Sequence, residues 1–124
     1  MRCKILLPVD GSEGSARAAR HVAGLATMAK DLEVHVVNVQ ARGDDWMVRR
    51  MIKPEELVKM EREWGEAAIA PARAILTAAG VACTEHMEQG EVGPTIARLA
   101  EEMGCDQIVM GTLGHTALGD LVMG

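Results

Sequence analysis

The chain contains no phenylalanine and no tyrosine, and only two tryptophans among its 124 residues. Its core must therefore be aliphatic, assembled from Ala, Val, Leu, Ile and the nine methionines, which serve first as core filler. Serine occurs only at Ser12 and Ser15, so no Ser/His/Asp nucleophilic arrangement can be built. The three cysteines, Cys3, Cys83 and Cys105, are odd in number and form no CxxC. They favour reduced, buried thiols in a cytoplasmic protein over a disulfide framework or a cysteine zinc site. His21, His35 and His86 show no metal-ligand spacing in sequence, and no metal is expected at them. Excess positive charge is also missing. With a net charge of −5, a broad nucleic-acid surface is not expected. The apolar start is too short for a signal peptide and is interrupted by Asp10, and no run reaches transmembrane length. A soluble protein with no membrane partner is expected.

What is present is ordinary for one globular domain spanning 1–124: 48% hydrophobic and 25% charged residues. Ile5 to Val9 reads as a strand buried on both faces, ended by Asp10-Gly11-Ser12. Ser12 can cap a helix that carries Ala19, Val22, Ala26 and Ala29 on one stripe to about Lys30. Leu32 to Val39 is a second strand, and residues 40–53 are a long connection. Pro54 opens a helix whose stripe is Leu57, Met60, Trp64, Ala68, Ile75 and Ala79, with a bend or break expected near Pro71. Val81 to Met87 alternates like an edge strand. Ile96, Leu99, Ala100 and Met103 mark a helix ended by Gly104. Gln107 to Met110 forms a last buried strand, followed by a glycine turn at Gly111 and Gly114 and a helix start from Thr116.

Strands alternating with helices imply an α/β, doubly wound parallel sheet. The two most apolar strands, first and fourth, should be central neighbours, giving the order 3-2-1-4. The winding then reverses between strands 1 and 4, where ligands of such sheets bind. Asp10 and Gly111 fall at that crevice. Gly111 and Gly114 allow backbone N–H groups to approach a phosphate, and a helix N-terminus adds partial positive charge. There is no GK[ST], hence no lysine for the outer phosphates, which favours binding over phosphoryl transfer. A phospho-acceptor receiver domain would need clustered acids after strand 1 and an Asp after strand 3, where Glu88-Gln89-Gly90 stands instead. A dinucleotide-dependent oxidoreductase would need GxGxxG in the first turn.

Pro8-Val9-Asp10-Gly11-Ser12 after strand 1, with Gly111-x2-Gly114-x9-Gly124 after strand 4, resembles the ATP-binding branch of the universal stress protein family. The resemblance covers the whole chain. It implies an adenine-nucleotide alpha-hydrolase-like fold that binds ATP with Mg2+, a sensor or switch role in the stress response, at most slow ATP hydrolysis, and a homodimer. By resemblance, Asp10 lies near the ribose, Val39 meets adenine through its backbone, and Gly111, Gly114 and Gly124 line the ribose and phosphates. Pro8, Val9, Met110 and His115 complete the expected nucleotide-contacting set. The family pattern continues with Ser or Thr after the last glycine and then a fifth strand. With Gly124 as the final residue, a truncated domain is expected, lacking that strand, leaving strand 4 as an open edge and the usual dimer in doubt. Leu113 stands where a basic residue is frequent.

Overall fold

The computed structural model describes residues 3–29, 31–41 and 50–111, together with the backbone of 121–123. The elements run β1 (Cys3–Pro8), α1 (Glu13–Met28), β2 (Leu32–Gln40), α2 (Pro54–Ala78), β3 (Cys83–Gln89), α3 (Val92–Met103), β4 (Gln107–Met110) and β5 (Leu121–Met123). The sheet order is β3-β2-β1-β4-β5, so the 3-2-1-4 arrangement of parallel strands holds.

Alternation along the strands sorts the core into two layers. Ile5, Leu7, Val34, Val36 and Val109 pack with Ala18, Ala19 and Val22 of α1 and Ile69, Ala72 and Leu76 of α2. On the other face, Leu6 and Val37 pack with Ile96 and Leu99 of α3. Small residues on α1 let it lie close to the sheet. Ser12 caps it by accepting the Ser15 N–H at 3.2 Å, and Gly104 ends α3 in the left-handed region at φ 66°. Beyond β2, β3 is the polar edge expected from its alternation, shifted to begin at Cys83.

Three expectations need correction. Pro71 does not break α2, which runs unbroken from Pro54 to Ala78. Pro71 itself is exposed, while Ile69 and Ala72 on either side are pinned in the core, so packing outweighs one lost backbone hydrogen bond. The buried stripe of α2 is Gly65, Ile69, Ala72 and Leu76, one position round from the expected face, and Trp64 is 53% exposed. Gly65 sets this face: a Cβ there would come 2.8 Å from Met87 Sδ, so the helix meets the sheet through its glycine. Finally, strand 4 is not left as an open edge. Residues 116–120 of the expected helix lie outside the described residues, but Leu121–Met123 pairs antiparallel with β4, Met110 opposite Leu121 and Ile108 opposite Met123. An apolar run that satisfies the backbone groups of β4 is favoured over leaving that edge open.

β1 pairs with β2 along its whole length, from Cys3 to Pro8, but with β4 at Ile5 and Leu6. Past Leu6, β1 and β4 part, and a crevice opens between their carboxyl ends.

Candidate functional site

The crevice is floored by the ends of three strands. Pro8, Val9 and Asp10 follow from β1, Val39 from β2, and Met110 and Gly111 from β4, all lining one cleft of about 210 Å³. These are six of the nine residues singled out from the sequence. Gly114, His115 and Gly124 lie outside the described residues. Ser15 of α1 and Val92 and Ile96 of α3 also line the cleft and were not foreseen. Ser15 sits three residues after the Ser12 cap, and Val92 and Ile96 share one face at i and i+4. Those spacings were visible, but nothing in the sequence aims them at the crevice.

Asp10 is held by a closed knot of hydrogen bonds. Its Oδ1 accepts from the Ser12 N–H at 2.9 Å and from the Ser15 hydroxyl at 2.7 Å, while the Ser15 Oγ accepts the Asp10 N–H at 2.9 Å. Gly11, at φ +82°, makes the tight turn between them. Burial pushes the Asp10 carboxyl up, but hydrogen bonds from Ser12 and Ser15 and from nearby backbone N–H groups outweigh it and hold the group below its ordinary value. Asp10 is therefore an ionised, oriented carboxylate at neutral pH. We expect Ser15→Ala to raise its pKa, because burial then meets less opposition. NMR titration of the carboxyl carbon reads this directly. The sign for stability follows: Asp10 favours the fold above its unfolded pKa and loses that contribution as pH falls, so the variant should lose less on acidification.

A second polar residue, also unforeseen, braces the neighbouring strand. Asn38 is 5% exposed and donates from Nδ2 to the Val9 carbonyl at 2.8 Å, while Gln40 Nε2 donates to its Oδ1 at 3.2 Å. Val9 N–H in turn donates to the Val37 carbonyl at 2.8 Å. The end of β1 is thus fixed to β2 beyond their last ladder pair, which sets where Asp10 begins its turn.

Gly111 has a packing role. A Cβ at Gly111 would stand 2.2 Å from the Gly14 carbonyl oxygen, so β4 leaves the sheet in direct contact with the first turn of α1. The remaining walls are apolar: Val9, Val39, Val92, Ile96 and Met110. Burial raises the thiols of Cys83 and Cys105, so neither is an activated nucleophile. Among the described residues no group of three or more metal-ligating side chains occurs, and no helix is long and apolar enough to cross a membrane. The arrangement offers an apolar slot, one fixed carboxylate and Gly111 at its edge, which suits binding of a flat, polar-edged molecule.

Comparison with known proteins is consistent over the whole chain. The profile described as Universal stress protein family matches residues 1–124. The universal stress protein MJ0531 of Methanocaldococcus jannaschii is 30% identical, over 98% of this chain and 71% of that protein. A solved structure from the same family in Burkholderia pseudomallei superposes with a TM-score of 0.70 at 31% identity, covering 88% of this chain and 80% of that one. Two solved structures share the fold at lower identity. A universal stress protein in complex with cAMP gives a TM-score of 0.64 at 22% identity, over 94% of this chain and 80% of that one. An Arabidopsis thaliana family protein with AMP bound gives 0.66 at 16%, again over 94% and 80%.

Proposed function

The chain belongs to the universal stress protein family, and from that premise we propose that it binds ATP, with Mg2+, as a nucleotide-dependent sensor or switch with little or no turnover. The observation that carries this is the convergence of Asp10, Val39, Met110 and Gly111 on one cleft at the reversal of winding, where doubly wound sheets take their ligands. Complexes of fold relatives with cAMP and AMP support an adenine nucleotide as the ligand class.

The residues present fit such a ligand. Val39, Ile96 and Met110 supply apolar surface for a base. The Asp10 carboxylate, ionised and held through Oδ1, can accept from a ribose hydroxyl or help hold Mg2+, which binds through one or two carboxylates together with phosphate oxygens. Phosphates fall to the glycine segment Gly111, Gly114 and Gly124, with His115 beside it. No lysine is positioned by sequence to push charge off a γ-phosphate, so binding without efficient transfer is the chemistry assigned.

The competing function is an interaction module of the same fold that works by homodimerisation without nucleotide, its contact carried by the sheet edge that β5 forms. Calorimetric titration with ATP and Mg2+, together with identification of any nucleotide released from the purified protein, separates the two. We expect saturable binding and a raised melting temperature. Gly114→Val should weaken ATP binding about tenfold or more without lowering the stability of the free protein, since one blocked backbone approach removes phosphate contacts of roughly 1.5–3 kcal/mol. Failure of millimolar ATP to bind or stabilise leaves the interaction module.

A further inference from the structure

Away from the cleft, the face of the sheet that carries α3 holds a row of side chains running across two strands. His35 lies opposite Leu6 and His86 lies opposite Val37, so both imidazoles share the α3 side of the sheet. His35 Nδ1 and His86 Nε2 are 2.9 Å apart, and His35 Nε2 is 2.7 Å from Glu33 Oε2. The ring centroids are 5.2 Å apart with 28° between the planes, so the rings meet edge to edge.

A carboxylate can only accept, so His35 donates to Glu33 through Nε2, and in the neutral ring the Nδ1 lone pair is aimed at His86. Lys4, from β1, holds Glu33 at 3.5 Å and donates to the Met103 carbonyl at 2.9 Å, tying the carboxylate to the last turn of α3. A carboxylate behind one imidazole, with a second imidazole facing its free nitrogen, is the arrangement that orients histidines toward a metal ion.

We propose that His35 and His86 form a cross-strand site for a divalent first-row transition ion, with Glu33 orienting His35. The ion takes the place of the hydrogen bond between the rings: His86 moves its proton from Nε2 to Nδ1, its other neutral tautomer, and each ring turns toward the ion about its side-chain bonds. At the usual metal–imidazole distance of roughly 2.0–2.1 Å, nitrogens at the observed separation subtend about 90°. That is the angle between adjacent ligands of a square-planar or octahedral ion, and narrower than a tetrahedral site wants. Cu2+ and Ni2+ therefore suit the pair better than Zn2+, with Cu2+ tighter than Ni2+. Glu33 and Glu88 favour a dication, Lys4 opposes it, and water fills the remaining positions.

Calorimetric titration of the full chain with Ni2+ at pH 7.5, in a buffer that does not chelate, tests the site. One equivalent should bind. His86→Ala and His86→Gln should each abolish that binding, the glutamine variant keeping a donor toward His35 in case the alanine variant folds poorly. Glu33→Gln should weaken binding about tenfold, as loss of a carboxylate behind a ligating histidine does. His21→Ala, an exposed position on α1, should change nothing. Absence of Ni2+ binding, or unchanged binding in a folded His86→Gln variant, overturns the proposal and leaves the pair a structural hydrogen bond.

Discussion

Gly111→Ala should lower the stability of the free protein by about 3 kcal/mol, or roughly 10 °C in melting temperature, with no ligand present. The cause is one added carbon. Its Cβ would stand 2.2 Å from the Gly14 carbonyl oxygen and 2.3 Å from its carbonyl carbon, and neither is the end of a flexible side chain. Relief requires β4 to move off α1, which disturbs Val109 in the core, a residue with no exposed surface. Thermal or urea denaturation of the free protein checks this. The result also sorts two roles that the sequence merges. If Gly111 mattered only for letting a phosphate near the backbone, the alanine variant would keep its stability and lose nucleotide affinity alone.

Leu6→Ala should cost about 3 kcal/mol as well, within the range for removing a buried leucine side chain and leaving a cavity. Leu6 is fully buried against Val37, Ile96 and Leu99, and Ile96 is a wall of the cleft. The cavity should let α3 shift, so ATP affinity should fall together with stability. Leu76→Ala is the matched control: it is equally buried, but in the layer beneath α1 and α2. It should destabilise to a similar degree and leave ATP affinity within about twofold in the fraction that remains folded. Denaturation curves with ATP titrations on both variants give the comparison, and equal loss of affinity in the two would refute a specific link between Leu6 and the cleft.

Much of the fold could be read from residue order because each strand carries its own signal. Ile5 to Val9 is apolar throughout, as a strand buried on both faces must be, whereas β3 alternates, as an edge requires. The Ser12 cap and the Gly104 terminus are local chemistry and were legible for that reason. The buried face of α2 differs from the expected one because it begins at Gly65, a residue without apolar bulk whose importance is how near it lets Met87 and Gln40 come. Pro71 carries a strong local signal that the packing of Ile69 and Ala72 overrides.

The cleft was half legible. Asp10, Val39 and Gly111 sit at strand ends, and strand order alone brings those ends together. Ser15, Val92 and Ile96 reach the cleft from helices, and their direction depends on how α1 and α3 are rotated on the sheet. Asn38 is a polar residue within an apolar run, and its role shows only in its bond to the Val9 carbonyl. The histidine pair was out of reach for a related reason. His35 and His86 are 51 residues apart, and only the register of β2 with β3 sets them side by side.

The parting of β1 from β4 beyond Leu6 has a mechanical consequence. One wall of the cleft belongs to the continuous β1–β2 ladder, reinforced by Asn38, and is stiff. The other belongs to a four-residue strand joined to β1 over a short stretch, and has fewer backbone bonds to hold it. A molecule seated across the gap acts as a strut between two parts of the sheet that backbone hydrogen bonds no longer join. Its arrival and departure would change how freely β4 and its neighbour β5 vibrate against the rest of the fold. Occupancy at the centre of the molecule would then be legible at its edge as rigidity, without any large displacement.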